Sequence, residues 1–206
     1  MARQNISIVR GWGRGGTLLD LGANIGEVVM AHRDRFDRIV AVEAHPDTFA
    51  YLSRRVRDAG VGDTRITLIN AAVRARGGAT MYVTSPSPLS TSCQVHETPW
   101  RNRRAKDGGA YYREVVTVAL NELIAAYRPR CVKMDIEDSE YECLADGVRL
   151  DGVDHMCVEF HHYTDPEMQA RTLEIVSRLA ATGLRVTNPE NLAKTKFGLM
   201  TLVFAR

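Results

Sequence analysis

One stretch of sequence, TLLDLGANIG at residues 17–26, determines how the rest of this chain should fold. Its first half, Thr17–Leu21, is a short apolar run of the kind that forms a buried strand. The run breaks at Gly22 and leads into a helical pattern that begins near Gly26. Glycines in such a turn let the backbone bend sharply and approach a ligand closely. The stretch therefore predicts a strand, a turn and a helix, with a ligand at the carboxyl end of the strand.

Strand and helix patterns alternate along most of the remaining chain. Further strands are predicted at residues 38–43, 65–70, 131–136 and 156–160, and helices at residues 26–35, 46–59 and 165–182. This alternation favours an α/β fold with a mainly parallel sheet and helices on both faces. Two last strands, at residues 184–187 and 199–204, are too close together for an intervening helix with its loops. They predict an antiparallel hairpin at one edge of the sheet.

Length and composition are those of an ordinary globular protein. The 206 residues carry 27 Lys and Arg against 25 Asp and Glu, for a net charge of +2. This balance lacks the basic surplus of many nucleic-acid-binding proteins, and no apolar run reaches the roughly 18 residues of a membrane span. Residues 1–16 have no signal-peptide core, and the four cysteines form no C-x-x-C pair. We therefore expect a single cytoplasmic domain over residues 1–206, without a membrane partner.

One segment, residues 85–112, does not follow the alternation of strands and helices. Unstructured stretches of this length are uncommon in compact domains and are commonly functional when they occur. We expect a long loop that acts as a substrate lid, although its basic run is equally typical of a solvated loop. The proposed substrate contacts are Ser90, Thr91, Ser92 and Trp100, and the groups that would meet an anionic substrate are Arg101, Arg103, Arg104 and Lys106.

The ligand of the glycine turn is indicated by its spacing and by two acidic residues. The glycines follow G-x-x-x-G, which differs from the G-x-G-x-x-G pattern of dinucleotide-binding proteins. Glu43 ends the second predicted strand, where an acidic side chain accepts hydrogen bonds from the ribose of an adenosine. Asp20 would repel a phosphate but suits the ammonium group of an amino-acid tail. These features favour S-adenosylmethionine over NAD.

The chain resembles the FkbM-type S-adenosylmethionine-dependent methyltransferases, with matches in order from about Thr17 to the C-terminus. The most specific match is KMDIEDSE at residues 133–140, which follows the family pattern K-x-D-x-E-G-x-E except that Asp138 replaces the usual Gly. Ala44 and Asn121 replace the usual Pro and Asp. The other matching stretches are DLGANIG at 20–26, VEAHP at 42–46, NAAV at 70–73, VALNELI at 118–124 and VEFH at 158–161.

The resemblance implies both a fold and an activity. The fold is that of a class I methyltransferase, Rossmann-like, with a mainly parallel seven-stranded sheet and a C-terminal antiparallel hairpin. The implied activity is methyl transfer to a hydroxyl oxygen of a small molecule, typically a sugar or a secondary metabolite. By position, the expected cofactor-binding residues are Asp20, Gly22, Asn24 and Gly26 for the methionine part, Glu43 for the ribose, and Asn70 and Ala71 for the adenine.

The expected catalytic residues lie at the ends of two later strands. Lys133, Asp135 and Glu137 alternate along one predicted strand, so we expect them to share a face. Asp135 would lie near the methyl group and Glu137 would bind substrate or act as a base, while Lys133 would lower the pKa of a neighbouring acid or hydroxyl. A structural ion pair is the alternative. Glu159 and His161 end the next strand, and His161 is a candidate general base because its ordinary pKa lies near neutrality.

Metal binding is an open alternative at the same strand ends. Asp135, Glu137, Glu159 and His161 offer oxygen and nitrogen ligands for Mg²⁺ or Mn²⁺, which would stabilise an alkoxide. Their spacing matches no strong metal motif, so we predict no metal.

Three other functions are compatible with parts of the sequence. A nucleic-acid methyltransferase would use the basic run in residues 85–112, but the charge balance and the lack of an N-P-P-Y-type tetrapeptide do not favour it. A non-catalytic nucleoside-binding module would not need the charged strand ends. A dehydrogenase is disfavoured by the glycine spacing and the final hairpin.

Overall fold

The computed structural model describes residues 2–60, 65–85, 93–97, 111–137, 139–145, 147–161, 164–193 and 199–206. A seven-stranded sheet forms its centre. The strands of this sheet are β1 (Thr17–Leu21), β2 (Arg38–Glu43), β3 (Ile66–Asn70), β8 (Cys131–Met134), β9 (His155–Phe160), β10 (Arg185–Val186) and β11 (Met200–Ala205). Their order is β10-β11-β9-β8-β1-β2-β3.

The direction of the strands confirms the predicted topology. The pairs that join β3, β2, β1, β8 and β9 are all parallel, whereas β11 is antiparallel to both β9 and β10. The C-terminal hairpin therefore lies at one edge of the sheet, as expected. The segment between its strands carries a short 3₁₀ helix, Pro189–Ala193, which the sequence pattern did not predict. The strand order reverses at β1, which lies between β2 and β8.

Both faces of the sheet are buried, as a parallel sheet requires. On one face, Leu19 and Leu21 belong to the same apolar cluster as Val40, Val132 and Met134. On the other face, Leu18 packs in a second cluster together with Ile39, Ala41, Cys131 and Cys157. Cys131 and Cys157 are thus buried in the core.

Helices cover the two faces. They are α1 (Ala2–Arg10), α2 (Glu27–His32), α3 (Pro46–Asp58), α4 (Leu120–Tyr127), α5 (Glu140–Cys143) and α6 (Pro166–Ala181). Proline begins α3 and α6, where its missing N–H costs no hydrogen bond, and the Asp165 carboxylate accepts a hydrogen bond from the Glu167 N–H. Helix α1 lies in residues 1–16, where the sequence pattern predicted no helix. None of the helices within the described ranges is long and apolar enough to cross a membrane.

A second, small sheet corrects the interpretation of residues 85–112 as one long loop. Its strands are β4 (Ala72–Arg74), β5 (Thr80–Ser85), β6 (Gln94–His96) and β7 (Tyr111–Ala119), in the order β4-β7-β5-β6. The ladder between β5 and β7 brings Ser85 opposite Tyr111, so the two ends of the segment are held together. The expected lid residues lie outside the described part of the chain; these are Ser90, Thr91, Ser92, Trp100, Arg101, Arg103, Arg104 and Lys106.

Candidate functional site

A cavity of about 190 Å³ lies at the carboxyl ends of β1, β2 and β8. Ligands of open α/β sheets bind at this point, where the strand order reverses. Most of the residues that we predicted to form the site border the cavity, namely Gly22, Asn24, Glu43, Ala71, Lys133, Asp135 and Glu137. The other predicted site residues do not border this cavity, namely Asp20, Gly26, Asn70, Glu159 and His161.

The glycine turn is held in place by close backbone contacts. Gly22 has a φ of 75°, and a Cβ atom built on it would lie 1.7 Å from the Asp135 carbonyl oxygen. Gly26 has a φ of 81° before helix α2, and its Cβ would lie 2.4 Å from Leu52. Neither position therefore accepts a side chain without displacement of its neighbours. These contacts explain the G-x-x-x-G spacing and bring the turn against the segment that follows β8.

Glu43 ends β2 at the cavity wall with both of its carboxylate oxygens engaged. The Asn24 N–H donates to Oε2 and the His45 N–H donates to Oε1, each at 2.8 Å. Burial raises the pKa of this carboxyl, while the two N–H groups oppose the rise because they stabilise the charged form. A carboxylate oxygen accepts more than one hydrogen bond, so capacity is left for a ligand hydroxyl. Glu43 thus links the glycine turn to the loop after β2 and faces the cavity.

Asn70 has a different place from the one expected. Its Nδ2 group donates to the Glu43 and Ala44 carbonyl oxygens at 2.8 and 3.1 Å. The side chain therefore fixes the loop after β2, whereas the next residue, Ala71, borders the cavity. This geometry favours a supporting role for Asn70 in the shape of the cavity wall beside Ala71.

Lys133 joins two carboxylates beneath the glycine turn. Its Nζ atom lies 3.4 Å from Asp20 Oδ1 and 3.7 Å from Asp135 Oδ2, and it donates to the Gly22 carbonyl oxygen at 2.7 Å. Burial alone would lower the pKa of this lysine, but the two carboxylates raise it above its ordinary value. Burial raises the pKa of Asp20, and Lys133 opposes that rise. Because Asp20 is fully buried behind Lys133, the geometry does not favour direct contact with a cofactor ammonium group.

We expected Lys133, Asp135 and Glu137 to share one face of a single strand, and this expectation is wrong. Strand β8 ends at Met134, and Glu137 has a left-handed φ of 52°. A turn, rather than one face of a strand, brings Glu137 to the cavity. Asp138, which replaces the glycine of the family pattern, lies outside the described residues.

His161 follows the end of β9 and is surrounded by carboxylates. Its Nδ1 atom lies 3.0 Å from Glu140 Oε1, and its Nε2 atom lies 3.2 Å from Glu137 Oε2 and 4.0 Å from Asp135 Oδ1. Burial would lower the pKa of this imidazole, but these carboxylates, Glu140 foremost, raise it to about 9. At neutral pH the ring is then an imidazolium, which is a poor general base. The neighbouring His162 lies outside the described residues.

Glu159 is a buried carboxylate close to this histidine. Burial and the charge of Asp135 raise the pKa of Glu159 to about 7, while His161 opposes the rise. Its Oε1 atom is buried without a hydrogen-bond partner among the described residues. An acceptor of this kind is rare in protein interiors.

Sequence reasoning missed several residues of the site. Glu140 was part of the KMDIEDSE match but received no role, although its carboxylate bonds both His161 and the Ile136 N–H. Asn5, from the unpredicted α1, and Cys93 and Val95, from the segment around β6, also border the cavity. The K-x-D-x-E-x-x-E spacing was the only signal for Glu140, and no pattern pointed to the other three.

Comparisons with known proteins agree with this architecture. A sequence profile for the methyltransferase FkbM domain matches residues 20–186. The solved structure of methyltransferase FkbM from Methylobacillus flagellatus KT has a TM-score of 0.57 at 17% identity, over 92% of this chain and 43% of that chain. Trm5b from Pyrococcus abyssi has a TM-score of 0.54 at 10% identity, over 98% of this chain and 47% of that chain.

A third similar structure is an rRNA methylase from Streptococcus thermophilus. It has a TM-score of 0.52 at 11% identity, over 98% of this chain and 94% of that chain. In contrast, this chain spans less than half the length of the FkbM and Trm5b chains. Among curated proteins, none matches the sequence. At these identities the structural likeness establishes the class I methyltransferase fold.

Proposed function

The chain belongs to the FkbM methyltransferase family, and from this we propose that it moves a methyl group from S-adenosylmethionine to a hydroxyl oxygen of a small molecule, such as a sugar or a secondary metabolite. The family and the fold support S-adenosylmethionine-dependent methyl transfer, and the type of acceptor is our proposal. The observation that supports this proposal is that one cavity is bordered by the glycine turn and Glu43 on one side and by Asp135 and Glu137 on the other.

The residues on the first side of the cavity fit the cofactor. Gly22 and Asn24 border the cavity, and Glu43 has acceptor capacity for ribose hydroxyls. Ala71 leaves room for a flat base beside it. When bound, S-adenosylmethionine supplies an activated methyl group on a sulfonium centre, and the protein supplies orientation and electrostatics. Asp20 and Lys133 act on this side indirectly, because Lys133 holds the Gly22 carbonyl oxygen.

The second side supplies groups for the acceptor. A hydroxyl must lose a proton as it is methylated, and a positioned base contributes roughly 10²–10⁴-fold to the rate. Asp135 and Glu137 border the cavity, whereas His161 does not and is held as an imidazolium. We therefore assign the base or acceptor-binding role to Glu137 and a place beside the methyl group to Asp135. Cys93 and Val95 also border the cavity, which supports an acceptor-covering role for the segment around them.

The acceptor type is tested with S-adenosylmethionine that carries a ¹³C-labelled methyl group. The purified protein is incubated with hydroxyl-bearing sugars and phenols, with RNA as a parallel acceptor, and the products are read by NMR. The proposal predicts label on an oxygen of a small molecule, where the methyl carbon has the chemical shift of a methyl ether. Label in RNA, or on nitrogen or carbon, would overturn the acceptor assignment but leave methyl transfer in place.

Removal of the Glu43 side chain should weaken cofactor binding. We expect Glu43→Ala to bind S-adenosylhomocysteine roughly 10- to 100-fold more weakly than the wild type, because hydrogen bonds to charged groups are worth about 1.5–3 kcal/mol. The measurement is calorimetric titration, with NAD as a ligand that should not bind. Glu174→Ala, on the exposed surface of α6, is the matched control and should bind like the wild type. Equal binding by Glu43→Ala would remove Glu43 from the cofactor site.

A further inference from the structure

Asp135, Glu159 and His161 form a cluster of ligand atoms next to the cavity. One carboxylate oxygen from each acid and one ring nitrogen of the histidine all lie within 4.8 Å of one another. We propose that this cluster is a binding site for a divalent metal ion of the Mn²⁺ type. The inference goes beyond the methyl transfer proposed above. It can also be tested separately, because binding of the ion is measured without a methyl acceptor.

The first argument is the unsatisfied oxygen of Glu159. The residue is only 3% exposed, and its Oε1 atom has no hydrogen-bond partner among the described residues. A buried carboxylate oxygen without a donor is costly unless a cation balances it. The other two members of the cluster are Asp135, which is itself an anion, and His161, whose ring nitrogens already lie next to Glu137 and Glu140. A metal ion between the three side chains would supply the missing positive partner.

The second argument is the local balance of charge. Around the cluster, the described carboxylates are Asp20, Asp135, Glu137, Glu140 and Glu159, and the described cationic groups are Lys133 and His161. Acids therefore outnumber bases in a region that is largely buried. Lys133 is already shared between Asp20 and Asp135. A divalent cation that replaces the His161 Nε2 proton would bring the region one charge closer to neutrality.

The third argument is the support given to the histidine ring. Glu140 bonds Nδ1 at 3.0 Å and is itself fixed by the Ile136 N–H, and the Tyr141 hydroxyl donates to the His161 carbonyl oxygen at 2.7 Å. A carboxylate on the far nitrogen is typical of metal-binding histidines, since it fixes the tautomer and directs the other nitrogen at the ion. Here that other nitrogen, Nε2, faces Asp135 and Glu137.

Ion binding requires small, defined changes. Donors of one ion at about 2.0–2.2 Å lie roughly 3–4.4 Å apart, so shifts of less than an ångström would close the cluster. The Nε2 proton passes to solvent, and the hydrogen bond between His161 and Glu137 is replaced by the bond to the metal. An imidazole together with two carboxylates favours Mn²⁺ over Mg²⁺, which prefers oxygen ligands alone. Because Asp135 borders the cavity, an ion held by these residues would lie near it, where it would favour deprotonation of a bound hydroxyl.

The test is titration of the metal-free protein with Mn²⁺, with free ion followed by electron paramagnetic resonance. We expect one site per chain, and nitrogen coupling from a bound imidazole in the pulsed spectrum. Glu159→Gln and His161→Gln should each weaken binding tenfold or more, and His161→Gln should lose the nitrogen coupling. Glu174→Gln, an exposed acid on α6, should bind as the wild type does. S-adenosylhomocysteine binding by each variant shows that it is folded.

Several outcomes would overturn the site. They are no binding by the wild type at millimolar Mn²⁺, binding without nitrogen coupling, and equal binding by the wild type and both cluster variants. Should either variant fail to fold, Asp135→Asn serves in its place, and the nitrogen coupling of the wild type still decides the matter. A wild type that binds S-adenosylhomocysteine but no Mn²⁺ would overturn this inference and leave the proposed function standing.

Discussion

Replacement of Gly22 by alanine should destabilise the protein and abolish tight cofactor binding. Left-handed backbone costs a residue with a Cβ atom about 1–2 kcal/mol. At Gly22 the added methyl group would also lie 1.7 Å from the Asp135 carbonyl oxygen, which is backbone and cannot rotate away. We expect the free energy of unfolding to fall by a further 1–3 kcal/mol or so, as for an overpacked core. Urea unfolding followed by tryptophan fluorescence measures the loss.

A matched glycine separates conformational strain from the steric clash. Gly152 has a φ of 79°, close to that of Gly22, but nothing lies within 4 Å of a Cβ built on it. Gly152→Ala should therefore lose only the strain, about 1–2 kcal/mol, and should bind S-adenosylhomocysteine as the wild type does. Similar losses of stability in the two variants would contradict the close approach of the glycine turn to the segment after β8.

Removal of the Lys133 ammonium group should lower the free energy of unfolding at least as much as Gly22→Ala does. Lys133→Met keeps most of the volume of the side chain but leaves Asp20, which is fully buried, without its counter-charge. Loss of one partner from a buried ion pair costs about 3–5 kcal/mol, because the remaining charge is uncompensated. The Gly22 carbonyl oxygen also loses its donor. We expect a reduction of this size in the free energy of unfolding, measured by urea denaturation.

A double-mutant cycle shows whether Asp20 is the cause. Asp20→Asn with Lys133→Met removes both charges, so the double variant should recover a large part of the stability that Lys133→Met loses. Additive losses from the two single changes would mean that the pair does not interact. In that case the effect of Lys133 would arise from its contacts with Asp135 and the glycine turn.

The central sheet could be predicted because its signals are local. Thr17–Leu21 and Arg38–Glu43 are short, mostly apolar strands, and Pro46 and Gly60 mark the limits of the helix that follows. The small sheet could not be predicted in the same way. Strand β6 is only three residues long, and β7 pairs with strands separated from it by long stretches of sequence. Pairing of this kind leaves little trace in the pattern of any one segment.

The sequence predicted which residues form the candidate site better than it predicted how they are arranged. Glu43 lies at the end of β2 as expected, because strand ends are set by the same apolar pattern. The turn that carries Glu137 and the carboxylates on both sides of His161 depend on tertiary contacts over 20 residues or more. The change of His161 from a base to an imidazolium follows from those neighbours. No pattern of residue spacing predicts which charged side chains surround the His161 ring in the folded protein.

The small sheet also gives the protein a modular architecture. Its strands lie between β3 and α4 and pair with one another, so the excursion can change in length or sequence without altering the register of the seven central strands. Four of the residues that border the cavity, Ala72, Val73, Cys93 and Val95, come from this excursion. The glycine turn, Glu43, Asp135 and Glu137 thus depend on the central sheet, whereas another part of the cavity wall comes from the excursion. A chimera that exchanges this one excursion between relatives would carry acceptor preference with it.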